Sequence, residues 1–317
     1  MSPDVVTYGE TMALFAAEDT GKLSVGSRMN LRMGGAESNV AIGLARLGTS
    51  ALWAGRVGAD PLGQLVAREI RAEGVTTVAI VDSEAPTGLM VKERRTPGTS
   101  RVYYYRSNSA GSRLDVDDVP VDAIRAAKVL HISGITMALS PSSARAVRYG
   151  MEVAREAGVT VSFDVNYRSR LWSADSARQA FSDILPLVDI VFAGADEGRL
   201  ILDNDSATEG EVCSALGARG PAHVIIKLGA DGAIAAINGA QLIQRPHPVV
   251  AVDTVGAGDA FAAGYLSELV RGGSAADALQ LAALAGAFVC LSPGDWEGLP
   301  HRDDLELLQL HEDLVRR

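Results

Sequence analysis

One pattern recurs along most of this chain: a short apolar run, a break, then a longer stretch whose apolar residues fall at helical spacing. Val5 to Glu10, Ala51 to Gly55, Val129 to Ser133, Val159 to Val165, Ile190 to Phe192, Val224 to Ile226 and Pro248 to Val252 read as strands. Val40, Ala41, Leu44 and Leu47 repeat on one helical face, and Gly48 stops that helix. Asp60-Pro61 gives an N-cap and a proline at the first helical position, with Gly74 as the end. Ser140-Pro141 opens a helix that runs to Gly158, and Trp172-Ser173 leads into another. Strands that are apolar on both sides need cover on both faces, which a helix after each strand supplies. The pattern predicts an α/β fold built on a mostly parallel central sheet with helices on both faces.

Two stretches break the alternation. Residues 11–33 are mixed and show no helical period, and Thr87 to Ser107 reads as two strands around a turn at Pro97-Gly98. These segments, near 11–33 and 87–107, predict a small β lid over the strand ends. No linker, repeat or low-complexity stretch divides the chain, so residues 1–317 read as a single domain.

The chemistry concentrates in Asp253-Thr254-Val255-Gly256-Ala257-Gly258-Asp259-Ala260-Phe261. This stretch opens a helical pattern in which Phe261, Tyr265, Leu266, Leu269 and Val270 share a face and Gly272-Gly273 stop the helix. Two glycines let the chain turn tightly, so the N–H groups of Gly256, Ala257 and Gly258 can converge at the positive end of a helix. That arrangement suits a phosphate in transfer. Asp259 favours the helix but opposes a nearby phosphate, and removing a proton from an attacking hydroxyl would justify it. A dinucleotide fingerprint wants a small residue where Phe261 stands. No Gly-x-x-x-x-Gly-Lys-Ser/Thr run occurs, and no Gly-x-Ser-x-Gly elbow argues for a hydrolase. His301-Arg302-Asp303 imitates a protein-kinase catalytic loop but lacks the Asn five residues on, and reads as a solvated loop before the last helix.

The totals exclude other classes. A net charge of −10 argues against nucleic acid and anionic membranes as partners, and means that an anionic substrate needs a local basic pocket. The five histidines show no metal-ligand spacing, and Cys213 and Cys290 fit no metal or redox motif. Free thiols point to a reducing compartment, and Met1-Ser2-Pro3-Asp4 has neither a basic region nor a long apolar core. The expectation is a cytoplasmic protein. Ala275 to Leu291 is the most apolar segment, but Asp277, Gln280 and its length make it a buried helix rather than a span.

The stretch from Asp253 to Phe261 resembles the C-terminal signature of the ribokinase-like (PfkB-type) carbohydrate kinases. Gly34-Gly35-Ala36-Glu37-Ser38-Asn39-Val40-Ala41 resembles their N-terminal signature. The two signatures lie more than two hundred residues apart, and the matching pattern covers nearly the whole chain. The resemblance implies a ribokinase-like fold, Asp259 as catalytic base, and Gly256, Ala257 and Gly258 as an anion hole. It also implies ATP and Mg2+ as cofactors. Physically, Gly34 and Gly35 let a polyhydroxylated ligand approach the backbone, and Asn39 offers both donor and acceptor.

On the lid run Val102-Tyr103-Tyr104-Tyr105-Arg106, alternation puts Tyr104 and Arg106 on one face, while Tyr103 and Tyr105 pack on the other. Arg168 follows a strand end, where ligands of open parallel sheets bind. Two arginines converging on a sugar pocket point to a sugar that carries a carboxylate. The wording around Gly34, Arg101 to Arg106, Ser109 to Ser112, His131 to Thr136 and Asp164 to Arg168 resembles the 2-keto-3-deoxygluconate kinases of that family. This implies sugar contacts from Gly34, Gly35, Asn39, Tyr104, Arg106, Ile135 and Arg168, and phosphorylation of that sugar acid to its 6-phosphate. Met90 stands where relatives carry a sugar-contacting tyrosine, which leaves the preferred epimer open. On the nucleotide side the resemblance implies Asn166, Lys227, Gly229 and Gly232, with Glu197 holding Mg2+ through water although Gly194 replaces the family's Asn. By family alone, Leu281 to Asp295 forms the adenine end, with a monovalent cation such as K+ near Asp253. Other readings are a kinase for fructose, ribose or 2-keto-3-deoxygalactonate, and a sugar-binding sensor on the same scaffold. Lid strands that pair between subunits imply a homo-oligomer.

Overall fold

The structure, a computed structural model, describes residues 2–96 and 99–308. Its strands in chain order are Val5–Tyr8 (β1), Met12–Thr20 (β2), Met29–Gly34 (β3), Ala51–Gly58 (β4), Thr76–Asp82 (β5), Leu89–Thr96 (β6) and Thr99–Tyr105 (β7). They continue with Val129–Ser133 (β8), Thr160–Asp164 (β9), Ile190–Gly194 (β10), His223–Lys227 (β11), Ala233–Ile237 (β12) and Ala240–Gln244 (β13). Nine form one sheet in the order β13-β12-β11-β10-β9-β8-β1-β4-β5. It is parallel from β5 through β11, and β12 and β13 join as an antiparallel end.

Side-chain alternation along these strands fills two apolar layers, one under each set of helices. Leu130 and Ile132 of β8, with Val191 and Ala193 of β10, face one layer containing Phe163 and Phe181. Val129, Ile190 and Phe192 face the other, where Phe261 and Tyr265 pack from the helix Ala257–Val270. The helix starts follow from local chemistry. Asp60 accepts the Gly63 N–H at 2.8 Å with Pro61 at the first helical position, and Ser140 caps Pro141–Glu156. The apolar stretch forms a largely buried helix, Ala275–Val289, and among the described residues no helix is long and apolar enough to cross a membrane.

The remaining four strands form the lid, in the order β3-β2-β6-β7, with β2 and β6 parallel and the outer pairs antiparallel. The turn expected at Pro97-Gly98 lies outside the described residues. Three expectations change. Pro248 to Val252 is not a strand: Pro246 and Pro248 remove ladder donors just beyond the edge strand β13, and Val250 is 89% exposed. Tyr103 and Tyr105, expected to pack, lie on the lid's outer face and are 40% and 63% exposed. After His301 the chain enters a 3-10 segment, Arg302–Leu308, where the last helix was expected to begin, and the remainder of that expected stretch lies outside the described residues.

Candidate active site

Strand order reverses at β1, which lies between β8 and β4, and such switch points open a crevice at the strands' carboxyl ends. Immediately after β1, Gly9 has no space for a side chain, since a Cβ would lie 2.5 Å from Thr136 Oγ1 and 2.6 Å from Glu37. Glu37, in the helix Ala36–Arg46, accepts hydrogen bonds from Ser133 Oγ (2.7 Å) and Thr136 Oγ1 (2.6 Å). Burial pushes its carboxyl above the usual range. This buried acid ties the N-terminal signature to the end of β8, a role its exposed-looking sequence context did not reveal.

The same helix aims Asn39 across the crevice. Asn39 Nδ2 donates to Asp259 Oδ2 at 2.8 Å, while Asn39 Oδ1 is buried without a partner. Asp259 sits in the first turn of Ala257–Val270 and is only partly exposed. Desolvation raises its pKa to about 7, against the pull of Asn39, Lys227 and Arg168. Gly256 caps this helix at φ 80°, a conformation that favours glycine, and a Cβ there would meet the Asp295 carbonyl at 2.0 Å. Ala257 N–H points back to the Thr254 carbonyl at 3.3 Å. Among the described residues, the N–H groups of Gly256 and Gly258, like that of Asp259, have no acceptor, so this helix start keeps donors free for an anion.

The lid supplies the opposite wall. Met90, expected at the sugar, is 5% exposed in an apolar cluster with Met12 and Leu14 and reaches Gly34. Tyr104 lies under the Arg106 guanidinium, 6.0 Å from ring centroid to Cζ. Arg106 Nε donates to the buried Glu10 at 2.7 Å, whose other oxygen accepts from Ser109 Oγ. Arg106 Nη2 is buried against the same Glu10 oxygen as Nε at 2.5 Å, an ion-pair contact without hydrogen-bond geometry. Arg168 is exposed beyond β9, makes no ion pair among the described residues, and acts on Asp259 through space. Ile135 opens a short helix after β8, its N–H on Ser133 Oγ at 3.2 Å. Gly34 and Gly35 are close-approach sites, but for protein: Cβ atoms there would fall 2.2 Å from Asp295 Oδ2 and 2.5 Å from the Glu10 carbonyl. Asp295 was expected at the adenine end. The structure sets it between Gly34 and Gly256 instead, with its pKa raised by burial to about 6.

On the far side of Asp259, Lys227 Nζ pairs with Asp164 Oδ2 at 2.6 Å and lies beside Gly258. Burial opposes this charge, yet Asp164 and Glu197 hold the ammonium pKa above its ordinary value. Lys227 opens into a cavity of about 590 Å3 lined also by Gly194, Glu197, Leu228 and Asp231. Glu197 accepts the N–H groups of Gly194 (2.6 Å) and Tyr167 (2.7 Å), and burial raises its pKa. Asn166 takes a left-handed turn (φ 38°) and donates its N–H to Asp164. Gly229, at φ 60°, faces open space, whereas a Cβ on Gly232 would strike the Gln244 carbonyl at 2.1 Å. Chain crossing explains Gly232 better than ligand contact does.

Residues 2–302 match the pfkB family carbohydrate kinases. The chain belongs to that family. A 2-dehydro-3-deoxygluconokinase of Bacillus subtilis (strain 168) is 39% identical over 96% of this kinase and 95% of its own length. A 2-dehydro-3-deoxygalactonokinase of Haloferax volcanii is 33% identical over 93% of each chain. A solved PfkB protein from Polaromonas sp. JS666 is 34% identical, superposes with a TM-score of 0.86, and is covered over 99% of its length and 96% of this one. The fold is ribokinase-like. In this PfkB kinase a carboxylate able to change charge near neutral pH stands beside unpartnered amide donors and a lysine, under a lid carrying arginine and tyrosine.

Proposed function

We propose that this kinase transfers the γ-phosphoryl of ATP to the terminal hydroxyl of 2-keto-3-deoxygluconate, giving the 6-phosphate. The observation that carries this reading is Asp259, whose carboxylate is held by Asn39 in the same turn as the free N–H groups of Gly256 and Gly258. Asp259 takes the hydroxyl proton, with a pKa of about 7 that suits a base at neutral pH. The helix N-terminus, Gly256, Gly258 and Lys227 steady the migrating charge. Tyr104 and Ile135 line the sugar site, and the vacant acceptor of Asn39 suits a sugar hydroxyl. The sugar's carboxylate falls to Arg168, with Arg106 as the second arginine. Glu10 already neutralises Arg106, so Arg168 is the stronger discriminator.

The nucleotide lies along the cavity beside Lys227, with Asn166 and Gly229 near its phosphates. Glu197 and Asp231 offer the oxygen ligands a hydrated Mg2+ accepts, and the ion would shield the phosphate charge. Among the described residues no group of three or more His, Cys, Asp or Glu side chains is placed to hold a metal, which fits an ion arriving with the nucleotide. A monovalent cation at Asp253 forms no part of this reading, because Lys92 already neutralises that carboxylate.

Met90 cannot donate a hydrogen bond to the sugar, and the galactonate-kinase relative makes the C4 epimer the second reading. A sensor on this scaffold would have no use for a titrating base. The outer lid face, with Leu31, Tyr103 and Tyr105 exposed, supports a lid-to-lid homo-oligomer, and the two free thiols suit the cytoplasm. ADP release across a panel of both epimers, other sugar acids, fructose and ribose tests the reading. Turnover is expected highest with 2-keto-3-deoxygluconate; equal or higher turnover of a neutral sugar would reject it.

A further inference from the structure

The lid strand β6 sends one charge into the body of the molecule. Lys92 lies on the inner lid face, two residues beyond Met90, and its Nζ meets Asp253 Oδ2 at 2.6 Å. Both side chains are largely covered, at 15% and 20% exposure. Asp253 begins the stretch that becomes the anion hole, and its other oxygen accepts the Val255 N–H at 3.2 Å. The Gly294 N–H also acts on this carboxylate, and with Lys92 it helps hold the pKa below the usual range despite burial. Next to it stands Asp295, whose backbone crowds Gly256 and whose carboxylate crowds Gly34. Arg32 is committed to Glu297 at 3.3 Å, which leaves Lys92, among the described residues, as the cation in contact with Asp253 behind the anion hole.

The family resemblance implies a monovalent cation at this carboxylate, and the residues present do not fit one. An ammonium at hydrogen-bond distance already occupies Asp253 Oδ2, and a second cation on that oxygen would face it at close range in a poorly hydrated site. We propose that Lys92 is a positioning residue whose ammonium takes the place of a monovalent cation at Asp253 and delivers that charge from the lid. The Asp253 turn, and through it the Gly256 and Gly258 N–H groups, is then locked when β6 is seated over the sugar. Lid closure and assembly of the anion hole become one event, which keeps phosphoryl transfer from starting under an open lid.

The inference rests on the phosphoryl-transfer reading but not on which sugar is accepted. Its test is the rate of ADP formation with the best acceptor in potassium, sodium and tetramethylammonium salts of equal ionic strength. Wild-type kcat is expected to be the same in all three. Lys92→Met, which keeps the apolar stem in the lid cluster, should lose about tenfold to a hundredfold in kcat, the worth of one charge-assisted hydrogen bond, with KM little changed. Potassium, but not tetramethylammonium, should restore part of that loss, and Lys92→Arg should stay indifferent to the salt. Asp253→Asn should lose kcat without any potassium rescue, and thermal melts of each variant establish that it is folded. A wild type that needs potassium, or a folded Lys92→Met with wild-type kcat or no cation rescue, overturns the inference. A wild type that phosphorylates no sugar overturns both readings.

Discussion

Removing the amide that holds the proposed catalytic carboxylate gives the sharpest test of the site. Asn39→Leu keeps the branched side-chain shape and deletes the donor 2.8 Å from Asp259 Oδ2. The donor stabilises the charged form, so its loss raises the pKa of Asp259 from about 7. A hydrogen bond to a charged group is worth about 1.5–3 kcal/mol, and one pKa unit is about 1.36 kcal/mol, so the rise is about one to two units. Asp259 works as a base only when ionised, so activity climbs with pH through this pKa and the variant's climb moves to about pH 8–9. At pH 7 the ionised share falls from about one half to between about one in ten and one in a hundred, a loss of about five- to fiftyfold. At pH 9.5 and above most of that loss should vanish. The assay is kcat/KM for the sugar from initial rates of ADP release across the alkaline range. A loss of the same size at every pH would mean that Asn39 touches only the sugar, and a rise still centred near pH 7 would refute the pKa argument.

Other perturbations separate the remaining roles. Asp259→Asn should cut kcat by about 10²–10⁴ while calorimetric sugar affinity stays near normal, and lost binding with retained turnover would contradict its role as base. Arg168→Ala should lower kcat/KM for sugar acids by about tenfold to a hundredfold and barely touch neutral sugars, and equal damage to both would remove the carboxylate argument. Arg106→Ala should also lower stability, by about 3–5 kcal/mol in denaturant melts, because it strands the buried Glu10 charge; an unchanged midpoint would show the pair to be dispensable.

These expectations share one physical basis. Asp259 and Lys227 are both held in poorly hydrated surroundings, where fixed partners set their charge more strongly than bulk water does. Asn39, Asp164 and Glu197 are those partners. Each comes from a different part of the chain, and each is fixed by the helix or strand end that carries it.

Local pattern made much of the protein legible. Alternating apolar runs and capped helices determine the parallel sheet, because each element's cover is encoded within a few residues of it. The glycines and Asp259 were readable because a helix start is a local event. The Pro248 to Val252 run misled, since apolar content marks a strand only where backbone donors remain to pair. Pairings across the molecule had no local signal: Asn39 on Asp259, Arg106 on Glu10, Glu37 beneath β8, Lys92 on Asp253 and Asp295 against Gly34. An isolated acid or amide in a sequence looks the same whether it caps a helix, meets a ligand or neutralises a distant charge. The sequence by itself therefore determined the kind of fold and the helix start on which Asp259 sits. Only the tertiary structure decided which charges were already matched and which were left for a ligand, because pairing depends on distances that chain order does not contain.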